Sequence, residues 1–229
     1  KKGWEHTVIE LLLKKSGIKC RPIRKYTLDE TFFDKIDTEN KAYILGFWYA
    51  DGNVTKDKKI FRMGLQEEDV GILEKIKKVL NYSGPLGYRI RKKPRKNMYS
   101  LNIFSPHCCE SLIKCGCMPT KSLIIEFPSL DVIPQSLMRD FVRGYFDGDG
   151  SIGQRESKSK IGYVSITSND KFLSGLNIFV KGELNIEGNF YYRYKKDKDR
   201  VCGSLMYTKK NDCKIFLDWL YQGMSSDSL

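Results

Sequence analysis

The chain has 229 residues, 41% of them apolar and 12% aromatic, enough to bury a sizeable core and too apolar for a disordered tail. Forty Lys and Arg against 28 Asp and Glu leave a formal charge of +12 and a pI near 9.3, an excess that points to a polyanionic partner. No apolar run reaches the roughly 18 residues of a membrane span or carries the flanks of a signal peptide, so an intracellular protein without a membrane partner is expected.

Residues 1–37 read as a basic extension. Glu5–Lys15 has amphipathic spacing and Lys14–Lys25 is basic, which suits a DNA-contacting arm and a bracing arm equally. A helix start comes next, with Asp37 and Thr38 as N-cap candidates and Glu39 in the first turn. The helix itself is Ala42-Tyr-Ile-Leu-Gly-Phe-Trp-Tyr-Ala-Asp-Gly52. After it are a strand at 60–65, an amphipathic helix at 70–80, a Gly/Pro turn, strands at 88–90 and 99–104 around a basic loop, and a helix near 107–115. Seven cysteines form no disulfide framework, and the spacing of Cys108, Cys109, Cys115 and Cys117 is not that of a zinc site; buried, reduced thiols are expected.

After Pro134 a second helix, with Leu137, Phe141, Val142 and Tyr145 at helical spacing, runs into Phe146-Asp-Gly-Asp-Gly150. A strand at 163–167, a helix near 170–181, a turn at Gly188, strands at 190–194 and 204–207 around another basic loop, and a helix near 211–221 complete the chain. The two long helices align at an offset of 98 residues: Gly46 with Gly144, Ala50 with Gly148, Asp51 with Asp149, Gly52 with Gly150. The elements after each helix are alike in kind and order. The expected fold is therefore α+β, a tandem αββαββα duplication with repeats at 38–130 and 131–229.

Alternating strands imply antiparallel sheets with one dry and one wet face. The wet faces are expected to carry Arg62, Arg89, Arg91, Tyr99 and Asn102 in the first half, and Ser165, Thr167, Tyr191, Arg193 and Tyr207 in the second, residue types that contact bases and phosphates. The first basic loop adds Lys92, Lys93, Arg95 and Lys96, and the second adds Lys195, Lys196, Lys198 and Arg200. Arg155, Lys158 and Lys160 extend the second set. A charge run is commonly a solvated turn, but here it falls at the same hairpin of both repeats, which favours phosphate contact.

Each long helix ends in acid beside glycine, although a helix C-terminus carries partial negative charge and favours cations. A divalent cation reverses that preference, because hard cations take carboxylate and carbonyl oxygens. Asp51, Gly52, Asp149 and Gly150 are the metal-ligand candidates. A calcium loop is excluded, since Lys158 stands where its twelfth position requires Glu. The small residues Gly46, Ala50, Gly144 and Gly148 recur at four-residue spacing, which lets two parallel helices approach about a pseudo-twofold axis and brings both acids to one end.

Ile44-Leu-Gly-Phe-Trp-Tyr-Ala-Asp-Gly52 and Val142-Arg-Gly-Tyr-Phe-Asp-Gly-Asp-Gly150 resemble the paired signatures of the single-chain LAGLIDADG homing endonucleases. The resemblance covers roughly residues 38–222. It implies saddle-shaped sheets in the major groove of a long, partly asymmetric double-stranded DNA target, bound by a monomer. It also implies Mg²⁺-dependent cleavage across the minor groove leaving 3′ overhangs, with Ca²⁺ or Mn²⁺ as substitutes, often in an intron-encoded enzyme. The eighth-position acids carry over to Asp51 and Asp149, and the family's polar residue and lysine to Gln66 and Lys121, with Ser168 or Asn169 as the polar group opposite. The alternative is a group I intron RNA maturase or a non-cleaving DNA-binding protein of the same fold.

Overall fold

The computed structural model describes residues 15–17, 26–120, 124–154, 162–195 and 198–223. Lys121, Arg155, Lys158, Lys160, Lys196 and residues 1–14 lie outside them. The first half runs α1 (Glu39–Asp51), β1 (Gly52–Val54), β2 (Ile60–Gln66), α2 (Val70–Val79), β3 (Gly87–Arg89), β4 (Met98–Phe104) and α3 (Pro106–Lys114). The second runs α4 (Gln135–Asp149), β5 (Gly150–Gly153), β6 (Tyr163–Ser168), α5 (Asp170–Leu184), β7 (Asn189–Lys195), β8 (Lys198–Tyr207) and α6 (Lys210–Tyr221). Both antiparallel sheets have the same order, β1-β2-β4-β3 and β5-β6-β8-β7. The expected αββαββα duplication is thus present, with short strands β1 and β5 directly after the two acids.

Thr38 is the cap of α1, its side chain accepting from the Lys41 N–H at 3.3 Å. Helix α1 is buried all round from Ala42 to Tyr49, the pattern of a central rather than a surface helix. It lies against α4, and glycine makes the approach possible. A Cβ on Gly46 would overlap the Phe141 carbonyl oxygen and come within 2.9 Å of the Tyr145 nitrogen. A Cβ on Gly144 would overlap the Tyr43 carbonyl oxygen and come within 3.0 Å of the Phe47 nitrogen. Phe141 and Tyr145 are the 98-residue mates of Tyr43 and Phe47, so the two contacts are one contact repeated about a pseudo-twofold axis.

Neither long helix ends in a left-handed glycine. Gly52 and Gly150 are extended (φ −75° and −85°), and each donates its N–H to the last helical turn, at Trp48 and Phe146, while starting a strand. Their glycine identity answers crowding instead: a Cβ there would overlap the Trp48 ring and the Phe146 ring, respectively. Pro134 occupies the cap position of α4 rather than its first turn.

The described end of the extension belongs to the core of the first half. Phe32, Phe33 and Ile36 are buried, with the Phe33 ring edge-on to Trp48 and Phe61 at 6.2 and 6.1 Å. Asp34 pins this segment to α3 by accepting from Ser111 Oγ and meeting His107 Nε2 at 2.8 Å. Cys108, Cys109, Cys115, Cys117 and Cys213 are buried thiols outside any disulfide, and burial pushes the thiols of Cys108, Cys109 and Cys115 up to about 11. These three remain protonated and inert at neutral pH.

Candidate active site and nucleic-acid interface

The paired helices deliver Asp51 and Asp149 to the same end of the molecule, each at the last helical position and each exposed. Asp51 Oδ2 reaches to 3.2 Å from where a Cβ on Gly148 would sit, so the first acid lies against the second helix. One phenol senses both carboxylates. Tyr145, buried in α4, has its pKa raised chiefly by burial, then by the charge of Asp149 and, more weakly, of Asp51. Its hydroxyl lies 2.9 Å from Ser168 Oγ and 3.1 Å from the Thr167 carbonyl oxygen.

A cleft of about 610 Å³ opens beside the first acid. Asp51, Gln66, Asp147 and Gly148 line its floor, and Arg91, Arg95 and Lys96 of the basic loop line its rim. Arg89, Lys92 and Lys93 line an adjoining hollow in the same loop. Asn97 holds the loop's root by accepting from the Arg91 N–H at 3.1 Å, and Lys96 Nζ pairs with Glu68 at 2.6 Å.

Asp147 stands in the sequence only as a motif letter. In the structure it is the meeting point of three helices: Tyr43 of α1 donates to Oδ2 at 2.9 Å, and Tyr221 of α6 donates to Oδ1. Burial first, and then the Asp147 carboxylate, raise the pKa of both phenols. Tyr43 also presents its ring face to Arg143, whose guanidinium lies 4.4 Å from the centroid and bonds buried Asp140 at 3.2 Å. Tyr43, Asp147 and Tyr221 come from three helices far apart in the chain, so no local pattern in the sequence joins them.

The two halves differ at the polar position. Strand pairing matches Gly52 to Met63 and Gly150 to Ile166, so three residues further on Gln66 and Asn169 are counterparts. Gln66 is exposed in the cleft. Asn169 caps α5 by accepting from the Phe172 N–H at 3.0 Å and donates to the Ile125 carbonyl at 2.8 Å. Its amide is committed to structure, which leaves Ser168 beside Tyr145 as the polar group of that half.

The wet faces follow the strand register. Arg62 pairs with Asn102 and both are exposed. Arg89, Thr167 and Tyr191 are exposed as expected. Two tyrosines are corrections. Tyr99 pairs with Leu65 and packs on the core, its ring 4.7 Å from Tyr88, because it shares the parity of buried Leu101 and Ile103. Tyr207 pairs with Val164 and is 1% exposed, stacked on Phe216. Ser165 has the wet-face parity but is only 9% exposed, so it offers little surface to a ligand. Arg193, Lys195, Lys198 and Arg200 fall on β7 and β8, placed by backbone register alone, with Arg193 opposite Cys202.

Residues 136–219 match the model of the LAGLIDADG-like domain. The chain carries a LAGLIDADG-like domain and has the LAGLIDADG homing-endonuclease fold. The homing endonuclease I-WcaI bound to its DNA recognition sequence is similar in structure, with a TM-score of 0.60 at 12% identity over 93% of this chain and 94% of that one. The N-terminal LAGLIDADG domain of DUF199/WhiA gives 0.52 at 16% identity over 91% and 97%. I-DmoI in complex with DNA and Mn gives 0.50 at 12% identity over 86% and 100%. In sequence, a probable translation initiation factor IF-2 of Methanocaldococcus jannaschii is 26% identical over 144 residues, 60% of this chain and 11% of that protein. The DNA-directed RNA polymerase subunit Rpo1C of the same organism is 28% identical over 136 residues, 58% and 14%. The chain thus spans only a small fraction of the length of these curated relatives. Outside the matched residues, the first half repeats the topology of the LAGLIDADG-like domain strand for strand. Among the described residues no helix is long and apolar enough to cross a membrane.

Proposed function

We propose that the protein is a site-specific double-strand DNA endonuclease that hydrolyses one phosphodiester on each strand across the minor groove, leaving 3′ overhangs, and that it acts as a monomer on a long, partly asymmetric site. The helix pair carries this reading, because it brings Asp51 and Asp149 to one end of the molecule, next to a cleft rimmed by Arg91, Arg95 and Lys96. Homing endonucleases of the same fold bound to DNA support a duplex partner. The two curated relatives have unrelated functions, so what they share with this chain is better ascribed to a module than to their own activities.

Divalent metal use fits the residues present. The Asp51 and Asp149 carboxylates, with the backbone carbonyls of Gly52 and Gly150, are hard oxygen donors of the kind that suits Mg²⁺, Ca²⁺ or Mn²⁺. Among the described residues no group of three or more His, Cys, Asp or Glu forms a complete cage. That is compatible with Mg²⁺, which keeps several waters and takes one or two carboxylates plus phosphate oxygens. A bound divalent ion would supply charge to the phosphate oxygens and lower the pKa of a bound water. The chain's own share is distinct: Gln66 orients a water in the cleft, and Arg91, Arg95 and Lys96 neutralise the flanking phosphates. Lys121 would be the basic group of the first half.

The second reading, a non-cleaving nucleic-acid-binding protein such as a maturase, is favoured by Asn169, whose amide is committed to capping, so the second half has no carboxamide to match Gln66 and only the Ser168 hydroxyl in its place. Incubating the purified protein and Mg²⁺ with a plasmid library of candidate sites separates the two. Linear product from a subset of plasmids supports the endonuclease; tight, selective duplex or RNA binding with no cut in any member supports the second reading.

A further inference from the structure

The two sheets offer the same positions to DNA and fill them with different chemistry. Asn53, Arg62 and Asn102 form one row across β1, β2 and β4. Pairing of Gly52 with Met63 and of Gly150 with Ile166 makes the matching row of the second sheet Ser151, Ser165 and Met206. The first row presents a guanidinium between two carboxamides, with Arg62 and Asn102 exposed. No acid among the described residues pairs with Arg62, so its fork of donors is available. Asn102 is held in place: one of its amide hydrogens goes to Ser100 Oγ at 2.9 Å, which leaves its oxygen and second hydrogen for a ligand. In the second row Ser165 is 9% exposed and Met206 is half-buried and apolar, and only on β7, opposite Met206, does an exposed carboxamide, Asn189, continue the row.

A β-ribbon fits the major groove, where an Arg fork matches the two acceptors of guanine and a carboxamide matches the donor–acceptor edge of adenine. Hydroxyls discriminate less, since they bond to either kind of edge, and a thioether offers only a weak acceptor. We propose that Asn53, Arg62 and Asn102 are specificity determinants that fix purines in one half of the target, guanine under Arg62 and adenine under Asn102, while the matching base pairs under Ser151, Ser165 and Met206 are loosely specified. This rests on the duplex-binding part of the function proposed above, not on cleavage. Arg62 lies four residues along β2 from Gln66 in the cleft. Four extended residues span about 13 Å, so the fixed guanine stands roughly four base pairs from the phosphate facing the cleft, at about 3.4 Å per pair.

The test is selection of bound duplexes from a randomised DNA library in Ca²⁺, with the wild type and with the variants Arg62→Ala, Asn102→Ala and Met206→Ala. The wild type is expected to select strong base preferences under Asn53, Arg62 and Asn102, the strong side, and weak ones at the matching base pairs under Ser151, Ser165 and Met206. Arg62→Ala should erase one guanine preference on the strong side and weaken the preferred duplex roughly 5- to 150-fold, the span of one good bidentate contact. Asn102→Ala should erase an adenine preference on that same side, and Met206→Ala should leave the profile intact. Arg62 and Asn102 are exposed, and unchanged melting temperatures would confirm that their variants keep the fold. Equal preferences at the two matching sets of base pairs, or an Arg62→Ala variant that weakens every duplex by the same factor, would overturn the inference while leaving duplex binding standing. Binding to no duplex at any salt would overturn it together with the reading on which it rests.

Discussion

At Gly46 and Gly144 the two sides of the helix pair make identical contacts, backbone against backbone, with mates 98 residues apart. One turn further along they differ, where the pair Tyr43 and Asp147 on one side corresponds to Phe141 and Tyr49 on the other. The first is a phenol donating to a carboxylate at 2.9 Å; the second is an edge-to-face aromatic contact at 5.0 Å, with the Tyr49 hydroxyl turned away to the Cys115 carbonyl. Close backbone approach tolerates only glycine, so symmetry is retained there. Side chains at the rim of the interface need only fill space and satisfy their polar groups, so they have diverged, and the cleft gains Asp147 on one side alone.

The largest effects expected from breaking this comparison are at the shared contact. Gly46→Leu and Gly144→Leu should each destabilise by at least about 3 kcal/mol, the upper end for an overpacked core, and by similar amounts. Denaturant unfolding measures both, and a near-native midpoint for either would contradict the close packing. Gly182 gives the contrast: it lies within α5 with nothing inside 4 Å of an added Cβ, so Gly182→Ala should stabilise by about 0.5–1 kcal/mol.

Smaller effects are expected from the basic loop. Neutralising Arg91, Lys92 and Lys93 should weaken all duplexes alike and flatten the plot of log affinity against log salt by up to about 0.9 per lost phosphate contact. A change in base preference would instead assign readout to the loop.

The smallest concerns the clasp on the first half. Asp34 raises the pKa of His107 by hydrogen bonding and charge, and Ser111 and His107 lower that of Asp34. A raised histidine pKa contributes stability that is fully present below the unfolded value and lost as pH rises through the folded one; a depressed aspartate contributes above its unfolded value. The clasp should therefore hold best between the unfolded pKa values of Asp and His, about 3.9 and 6.5, and loosen as pH rises through the raised pKa of His107. Thermal melts of the wild type and His107→Gln across this range should converge at high pH.

How far the sequence disclosed this molecule depended on whether a feature was local and periodic. The helix pair was legible because glycine, small residue, acid and glycine recur at one offset. Tyr99 and Tyr207 are of a type that suits DNA contact, yet each shares the alternation of buried neighbours, Leu101 and Leu205, and the pleat decides the face. Ser165 has the wet-face parity, but alternation alone does not register that it is 9% exposed. Strands β1 and β5, of three and four residues, are too short for a period to register. The junction of Tyr43, Asp147 and Tyr221 joins residues far apart in the chain, and only the fold brings them together.

Whether the two helix-end acids, one from each half, act together on duplex DNA is most directly read from a bound target duplex labelled on each strand. Cleavage in Mg²⁺ and binding are measured in parallel for the wild type, Asp51→Asn and Asp149→Asn. Each substitution removes the charge of one ligand but leaves the phosphate contacts in place. The expected result is one cut per strand for the wild type, and no double-strand product above background for either variant, with affinity changed by no more than a few-fold. Double-strand cleavage retained by both variants would contradict a joint role for Asp51 and Asp149.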